Sequence, residues 1–249
     1  APQARLLVRD LPSLEDFRFA FKLGANLFQG PFITSREDWS EHELGPNTAR
    51  IATLIGRLRL DGDTREIAAM LKQDGALSLR LLRYVNSVAG AHAEPISSIE
   101  HTLVMLGHDR LYRWLVLLAC STDGSQGRAA AALETALVRA RMMELLAEDQ
   151  PVAQRESLFL VGLLSLADVI MQVPLEKALA PLALAPDVQA ALRGGEGPLR
   201  PLLELAIACE RGSADSEQLQ AVAERCGVTP RQASRCHIQA LLWAMDIQQ

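Results

Sequence analysis

Residues 74–107 read DGALSLRLLRYVNSVAGAHAEPISSIEHTLVMLG, and this stretch decides the fold. Its first half has an apolar residue at each of the spacings i, i+4, i+8 and i+11, which is typical of a helix that buries one side. These residues are Leu77, Leu81, Val85 and Val88. Arg80 and Arg83 are polar positions beside that stripe, and residues 89–95 form the loop that follows.

The second half of this stretch predicts another helix. Ser97 and Glu100 have the spacing of a capping box, in which each side chain bonds to the other's backbone N–H. Ile99, Leu103 and Leu106 then form an apolar stripe, and Gly107 ends the helix, where a left-handed residue is easiest. Two packed helices joined by a loop provide surfaces for contact and few groups for chemistry.

Composition extends the helical prediction to the whole chain. Of the 249 residues, 49% are apolar and only 4% aromatic, and alanine and leucine dominate, which favours helix packing over a sheet. The 25 basic and 30 acidic residues give a net charge of −5, so no global positive field attracts nucleic acid or an anionic membrane.

Several features place the protein in the cytoplasm without a membrane anchor. The apolar runs 158–167 and 115–120 are shorter than the roughly 18 to 20 residues of a membrane span. No signal-peptide pattern opens the chain, which begins at Ala1 without an initiator Met, as a fragment or trimmed protein would. The four cysteines form no C-x-x-C pair, which suits reduced, mostly buried thiols.

The first 45 residues differ from the rest. Residues 6–8 and 25–29 are predicted as short strands around a helix at 14–23, which makes a βαβ unit. Two parallel strands bury little area, so this unit should pack against the following domain, a partner or further barrel residues. From residue 47 onward the pattern predicts one helical bundle, with helices near 47–59, 64–72, 75–88, 98–106, 109–120, 128–149, 155–173, 175–180, 187–193, 198–211, 215–226 and 230–246.

Candidate chemical groups all have a structural interpretation. His108-Asp109 is an HD dipeptide, but it follows Gly107 directly, where Asp109 is a natural N-cap. His92 and His101 match no standard metal-ligand spacing. Asp168 interrupts an apolar segment and needs a partner, as a residue at a helix edge would find. No phosphate-loop, dinucleotide or esterase motif occurs, so we expect no catalytic residue, metal or cofactor.

The C-terminal region has a weak helix-turn-helix pattern. Ala223, Gly227, Ala233 and Cys236 stand where such a motif has small or apolar residues, and its second helix carries Arg231, Arg235 and His237. The chain is acidic, however, and the run through Leu241, Leu242, Trp243 and Met245 predicts a buried helix end. Binding of nucleic acid is therefore not favoured, although it stays an alternative.

Residues 51–249 resemble the HDOD domain, an HD-related output module of bacterial signalling proteins. The resemblance rests on these positions: Asp74, Leu81, Leu82, Val85, Asn86, Ser87, Ile96, Ser97, Ser98, Ile99, Leu106, Gly107, and Gly162 with Leu163 and Leu164. It implies an all-α fold without the metal ligands of hydrolase relatives. Ser165-Leu166 stands where such a hydrolase has His-Asp.

The opening resembles the end of an EAL domain, the barrel that hydrolyses cyclic di-GMP. Phe17, Leu23-Gly24 and Phe28-Gln29-Gly30 carry this resemblance. Residues 8–13 stand where that family has an acidic stretch, and the glutamates are missing. The resemblance implies a degenerate remnant of the barrel in residues 1–46 and an HDOD helical domain in residues 47–249.

These observations predict a non-enzymatic regulatory module of cyclic di-GMP signalling that binds proteins. Its interaction surface would include Arg80, Arg83 and His92. The partner stays unidentified, and a homodimer is compatible with the sequence. The alternatives are a metal-dependent HD-type phosphohydrolase and a DNA-binding regulator.

Overall fold

The computed structural model describes residues 6–60, 63–88, 98–122, 127–211 and 216–247. Its helices confirm a mostly α fold, and they follow a short βαβ unit. In chain order the elements are β1 (Leu7–Val8), α1 (Leu14–Lys22), β2 (Leu27–Phe28), α2 (Pro46–Arg59), α3 (Thr64–Gln73), α4 (Gly75–Val88), α5 (Ile99–Thr122), α6 (Arg128–Leu146), α7 (Val152–Leu164), α8 (Ala167–Met171), α9 (Leu175–Leu179), α10 (Pro186–Leu192), α11 (Arg200–Arg211), α12 (Ser216–Arg225) and α13 (Pro230–Ile247). Two 3-10 turns cover Pro31–Thr34 and Ala180–Leu182.

The described helices agree closely with the predicted ones, including the break at Gly107, and one predicted helix is divided in two. Gly107 has φ of 68° and ψ of 172°, which interrupts α5 at the glycine where we predicted an end. The predicted helix 155–173 is two helices, because the backbone leaves helical geometry at Leu166 between α7 and α8.

The chain forms two compact units. One contains residues 44–123 and 179–183, and the other contains residues 1–43, 124–178 and 184–249. In the smaller unit, α5 packs against α2, α3 and α4, and its core contains fully buried Ile55, Leu71, Leu81 and Leu115. The predicted domain division at residue 46 stays a prediction.

Helix α6 is the centre of the larger unit. Helices α7, α8, α11 and α13 all pack against it. The closest approach is at Gly162 of α7, where an added Cβ would lie 2.4 Å from the Ala140 backbone of α6. Any side chain at residue 162 would therefore push the two helices apart.

The βαβ unit belongs to the larger unit. Strands β1 and β2 pair in parallel, as predicted for a βαβ unit, and the structure places Leu7 opposite Leu27 and Val8 opposite Phe28. Phe17 stacks on Phe32 with ring centroids 4.7 Å apart. Gly30 has φ of 154°, and a Cβ there would lie 2.3 Å from the Leu11 carbonyl oxygen, so this turn requires glycine.

Candidate functional site

Asp74 joins two helices of the smaller unit. It ends α3, and its Oδ1 accepts the Leu77 backbone N–H at 3.0 Å at the start of α4. Arg50 donates to its Oδ2 at 2.9 Å. The backbone N–H of Leu77 first, and then Arg50, lower the pKa of Asp74 below its usual range. Asp74 is thus a structural cap.

The remaining motif residues of α4 and α5 also support packing. Leu81 is fully buried, whereas Leu82 and Asn86 are half-buried. At the start of α5, Ser98 Oγ accepts the His101 N–H at 3.3 Å, so Ser98 is the N-cap, one residue later than predicted. Three residues after Ser98 stands His101 and not Glu100, so Ser98 and Glu100 do not have the capping-box spacing. Glu100 pairs with Lys72, whose hydrogen bond lowers the pKa of Glu100 to about 2. Ile99 is buried and Leu106 half-buried.

The predicted interaction surface is only partly described. Arg80 and Arg83 are exposed on α4, outside its buried stripe. His92, Ile96, Ser97 and the rest of the loop lie outside the described residues, as does the side chain of Ser87. The surface therefore stays a prediction.

The HD dipeptide and the nearby histidine point to solvent. His101, His108 and Asp109 are all exposed. Within the described ranges, no group of three or more His, Cys, Asp or Glu side chains could hold a metal ion. None of the helices in those ranges is long and apolar enough to cross a bilayer.

A charged cluster is buried beside the α6–α7 contact. Arg139 of α6 donates to both carboxylate oxygens of Glu210, at 2.5 and 2.7 Å, and to Ser165 Oγ at 3.0 Å. The Ser165 hydroxyl in turn donates to the Gly162 carbonyl oxygen at 2.7 Å. The resemblance to the HDOD domain implied that Ser165 stands where a hydrolase has histidine, and in the structure its hydroxyl accepts a hydrogen bond from the Arg139 guanidinium group. Sequence reasoning identified Gly162 and Ser165 but missed Arg139 and Glu210.

A second charged cluster holds the N-terminal segment on the helices of the larger unit. Arg36 Nε lies 2.5 Å from Oδ2 of Asp168, whose side chain is only 5% exposed. Arg128 Nε donates to the Phe32 carbonyl oxygen at 3.1 Å, and its Nη1 lies 2.5 Å from Glu37 Oε1. We call Arg36, Glu37, Arg128 and Asp168 the clasp.

Three further contacts extend the clasp towards α9. Lys177 Nζ donates to Glu43 at 2.5 Å and to the His42 carbonyl oxygen at 3.1 Å. His42 Nδ1 lies 2.8 Å from the Gln172 carbonyl oxygen. Asp168 was predicted to need a partner, and that prediction is confirmed. Its partner Arg36 could not be found from helical periodicity, because the two residues are 132 positions apart.

The clasp is not fully paired. Asp168 Oδ1 and Arg128 Nη2 are buried and have no hydrogen-bond partner among the described residues. Burial lowers the pKa of Arg128, whereas Glu37 and Asp168 raise it. Because each unpaired buried polar atom costs free energy, this contact is less stable than its number of charges implies.

Comparison with known proteins gives the family. The model of the HDOD domain matches residues 49–189, more than half of the chain. The chain belongs to the HDOD domain family. Two curated relatives extend the similarity beyond that domain. Cyclic di-GMP phosphodiesterase CdgJ of Vibrio cholerae is 31% identical over 245 residues, which is 98% of this chain and 56% of that protein. Uncharacterized protein YuxH of Bacillus subtilis is 24% identical over 245 residues, which is 97% of this chain and 59% of that protein.

These relatives correct one prediction. The chain spans less than two thirds of the length of both relatives, and the more similar of the two is named a cyclic di-GMP phosphodiesterase. The expectation that the protein is not an enzyme is therefore wrong. No solved structure matches the chain significantly.

Proposed function

We propose that this HDOD protein acts in cyclic di-GMP signalling as a protein of the EAL–HDOD type, which hydrolyses cyclic di-GMP. The similarity of almost the whole chain to a protein named a cyclic di-GMP phosphodiesterase supports this proposal. In this proposal the β1–α1–β2 unit is the end of the hydrolase barrel. The helical units regulate the barrel and bind protein partners.

The observation that carries the proposal is the amount of exposed apolar surface on the β1–α1–β2 unit. Six large apolar side chains of this short segment are 45 to 68% exposed. They are Leu6, Leu7, Phe19, Phe21, Leu23 and Leu27. A two-stranded parallel sheet with so much exposed apolar surface is not stable by itself, and parallel sheets are normally covered on both faces. Further strands and helices of a barrel would cover these side chains, which supports the proposal.

The clasp provides the physical route for regulation. Arg36 and Glu37 follow the 3-10 turn that comes directly after β2, and they bind α8 and α6. A displacement of α8 or α6 would therefore be transmitted through these ion pairs and would move the end of the barrel. Protein partners would act on the helical units, with Arg80 and Arg83 as part of the surface that they bind.

The test is the rate of cyclic di-GMP hydrolysis by the native protein, purified with all the sequence that its gene encodes. Arg36→Glu places a carboxylate beside the buried Asp168 carboxylate, and this repulsion should open the clasp. We expect kcat to fall about threefold to tenfold with little change in KM, because a loosened barrel end positions the reacting groups less well.

The matched control is Arg57→Glu on α2. The side chain of Arg57 is 58% exposed and that of Arg36 is 59% exposed, and both substitutions change the charge by the same amount. Arg57 differs in its partner, which is an exposed glutamate at 3.7 Å. The control should keep the kcat of the native protein. Absence of hydrolysis in the native protein would overturn the proposed activity, and equal kcat values for the two variants would overturn the regulatory route.

The partner surface needs a separate measurement. Arg80→Glu combined with Arg83→Glu should weaken capture of partner proteins while the circular-dichroism spectrum stays unchanged, because both side chains are exposed. Unchanged capture would remove this surface from the proposal.

A further inference from the structure

The C-terminal helix α13 has an apolar face that nothing in the described chain covers. Ile238, Leu241, Leu242 and Met245 are 57, 41, 58 and 56% exposed. Their spacing of i, i+3, i+4 and i+7 places them in one stripe along the helix. The prediction that this end of the chain is buried was therefore wrong for Leu241, Leu242 and Met245.

The opposite face of α13 already makes the packing contacts of this helix. Its buried residues are Ala233, Cys236, Ala240 and Ala244. Trp243 contacts Phe159 edge-on at 6.4 Å, and the Arg141 guanidinium lies 5.7 Å from its ring centre. Because α13 is anchored through this side, the exposed stripe is not needed to hold it in place.

The stripe is complementary to itself in the antiparallel direction. A two-fold axis that passes between Leu241 and Leu242 places each of them opposite the other residue of a second copy. The same axis places Ile238 opposite Met245 of the second copy. Two-fold symmetry requires one surface to fit itself, and this stripe meets that requirement over its whole length.

Charge favours the same arrangement. Arg231 and Arg235 lie exposed on the stripe side, in the first two turns of α13. In the antiparallel register, Arg235 lies beside the last described turn of α13 of the second copy, near Ile247. The last carbonyl groups of a helix carry partial negative charge, so a guanidinium group there is stabilising.

We propose that α13 is a homodimer interface, in which two copies pack antiparallel through Ile238, Leu241, Leu242 and Met245. This interface is independent of the proposed hydrolysis and of the clasp. A single helix pair buries less area than a standard protein interface, so we expect a dissociation constant of about 1 to 100 µM.

A DNA duplex is the competing occupant of this face. Helix α12, the turn at Gly227 with φ of 70° and α13 have the order of a helix-turn-helix, and Arg231 and Arg235 are exposed at its second helix. Two observations favour the second copy. First, the stripe is apolar, whereas a duplex would bring phosphate groups to this face. Second, Glu148 and Asp149 line a cavity of about 250 Å³ together with Arg235, and their carboxylates would repel phosphate.

Sedimentation equilibrium of the whole chain over a range of concentrations tests the proposal. We expect a reversible dimer, and we expect Leu241→Asp combined with Leu242→Asp to raise its dissociation constant at least tenfold. The control is Val104→Asp on α5, where the native valine is 76% exposed, and it should dimerise like the native chain. Thermal unfolding of each variant shows whether the fold is retained.

Cysteine cross-linking tests the register and does not depend on the aspartate variants. In a background with Cys209→Ser and Cys226→Ser, mixing Ile238→Cys protein with Met245→Cys protein should give a disulfide-linked pair. Ile238→Cys alone should not, because its two copies lie about 10 Å apart along the axis.

Four results would overturn the proposal. The native chain could stay monomeric at all concentrations, or the dimer could be unaffected by the aspartate pair. Ile238→Cys could cross-link to itself. Finally, a monomeric chain could bind a DNA duplex with an affinity that falls steeply with salt and requires Arg231 and Arg235, which would identify the competing occupant.

Discussion

The α6–α7 contact and the β1–α1–β2 unit belong to the same compact unit, but they are held there by different forces. Around Gly162 the helices touch backbone to backbone, and Arg139 is paired on both carboxylate oxygens of Glu210. The β1–α1–β2 unit is held through the clasp, where Arg36 is largely exposed and Asp168 keeps one unpaired oxygen. We therefore expect the first contact to cost more free energy to break than the second.

Removal of Arg139 should have the largest effect on stability. Arg139→Ala leaves the Glu210 carboxylate buried without its partner, which costs about 3 to 5 kcal/mol of unfolding free energy. Urea denaturation measures this change. Arg225→Ala is the control, because Arg225 pairs with Glu204 at 3.1 Å but is 61% exposed, and it should cost less than about 1 kcal/mol. Similar losses in both variants would contradict the contrast between the two regions.

Filling the close contact between α6 and α7 should have the next largest effect. Gly162→Ala places a Cβ 2.4 Å from the Ala140 backbone, and we expect a loss of about 3 kcal/mol. Gly56→Ala on α2 is the matched control, because a Cβ there meets nothing within 4 Å. The control should gain about 0.5 to 1 kcal/mol, since alanine favours the helix. A stable Gly162→Ala protein would show that the two helices are farther apart than described.

Opening the clasp should cost less than either change at the α6–α7 contact. Arg36→Ala removes the partner of Asp168, but solvent can reach the site through the space of an exposed side chain, so we expect a loss of about 1 kcal/mol. Limited proteolysis should then cleave the segment between β2 and α2 faster than in the native chain, while the helical units stay intact. Resistance equal to that of the native chain would mean that the clasp does not hold this segment.

The smallest expected effect is a pH dependence at His237. Burial lowers the pKa of His237 below its ordinary value of 6.5, and its Nδ1 is buried without a partner in the described residues. Well above pH 6.5 the side chain is neutral in both the folded and the unfolded state and contributes no pH dependence. Below pH 6.5 the unfolded chain binds a proton before the folded chain does, so stability falls as pH falls. In the His237→Gln variant, Tm should therefore fall less between pH 7 and pH 5 than it does in the native chain. An unchanged slope would contradict the lowered pKa.

Helical periodicity was sufficient for most of the fold. The stripes of α4 and α5, the breaks between helices and the order of β1, α1 and β2 could be read from spacing, because each depends on neighbours within a few turns. The functional contacts could not be read in this way. Asp168 could be identified because it is the one carboxylate in an apolar segment. Arg36 and Arg139 have no such signal in the sequence, because their roles depend on partners that are distant along the chain.

The C-terminal helix shows the same limit. Its apolar residues were interpreted as core, because spacing shows that a stripe exists but not what covers it. In the structure the alanine side of α13 packs inward and the larger side chains point outward.

By itself, the sequence determined the helical class, the positions of the helices and the membership of a signalling family, since these depend on local spacing and on motifs. Only the tertiary structure decided which charges pair, which apolar faces stay open and where glycine is required. Those properties arise from atoms that are far apart along the chain and close in space, and no local pattern records such distances.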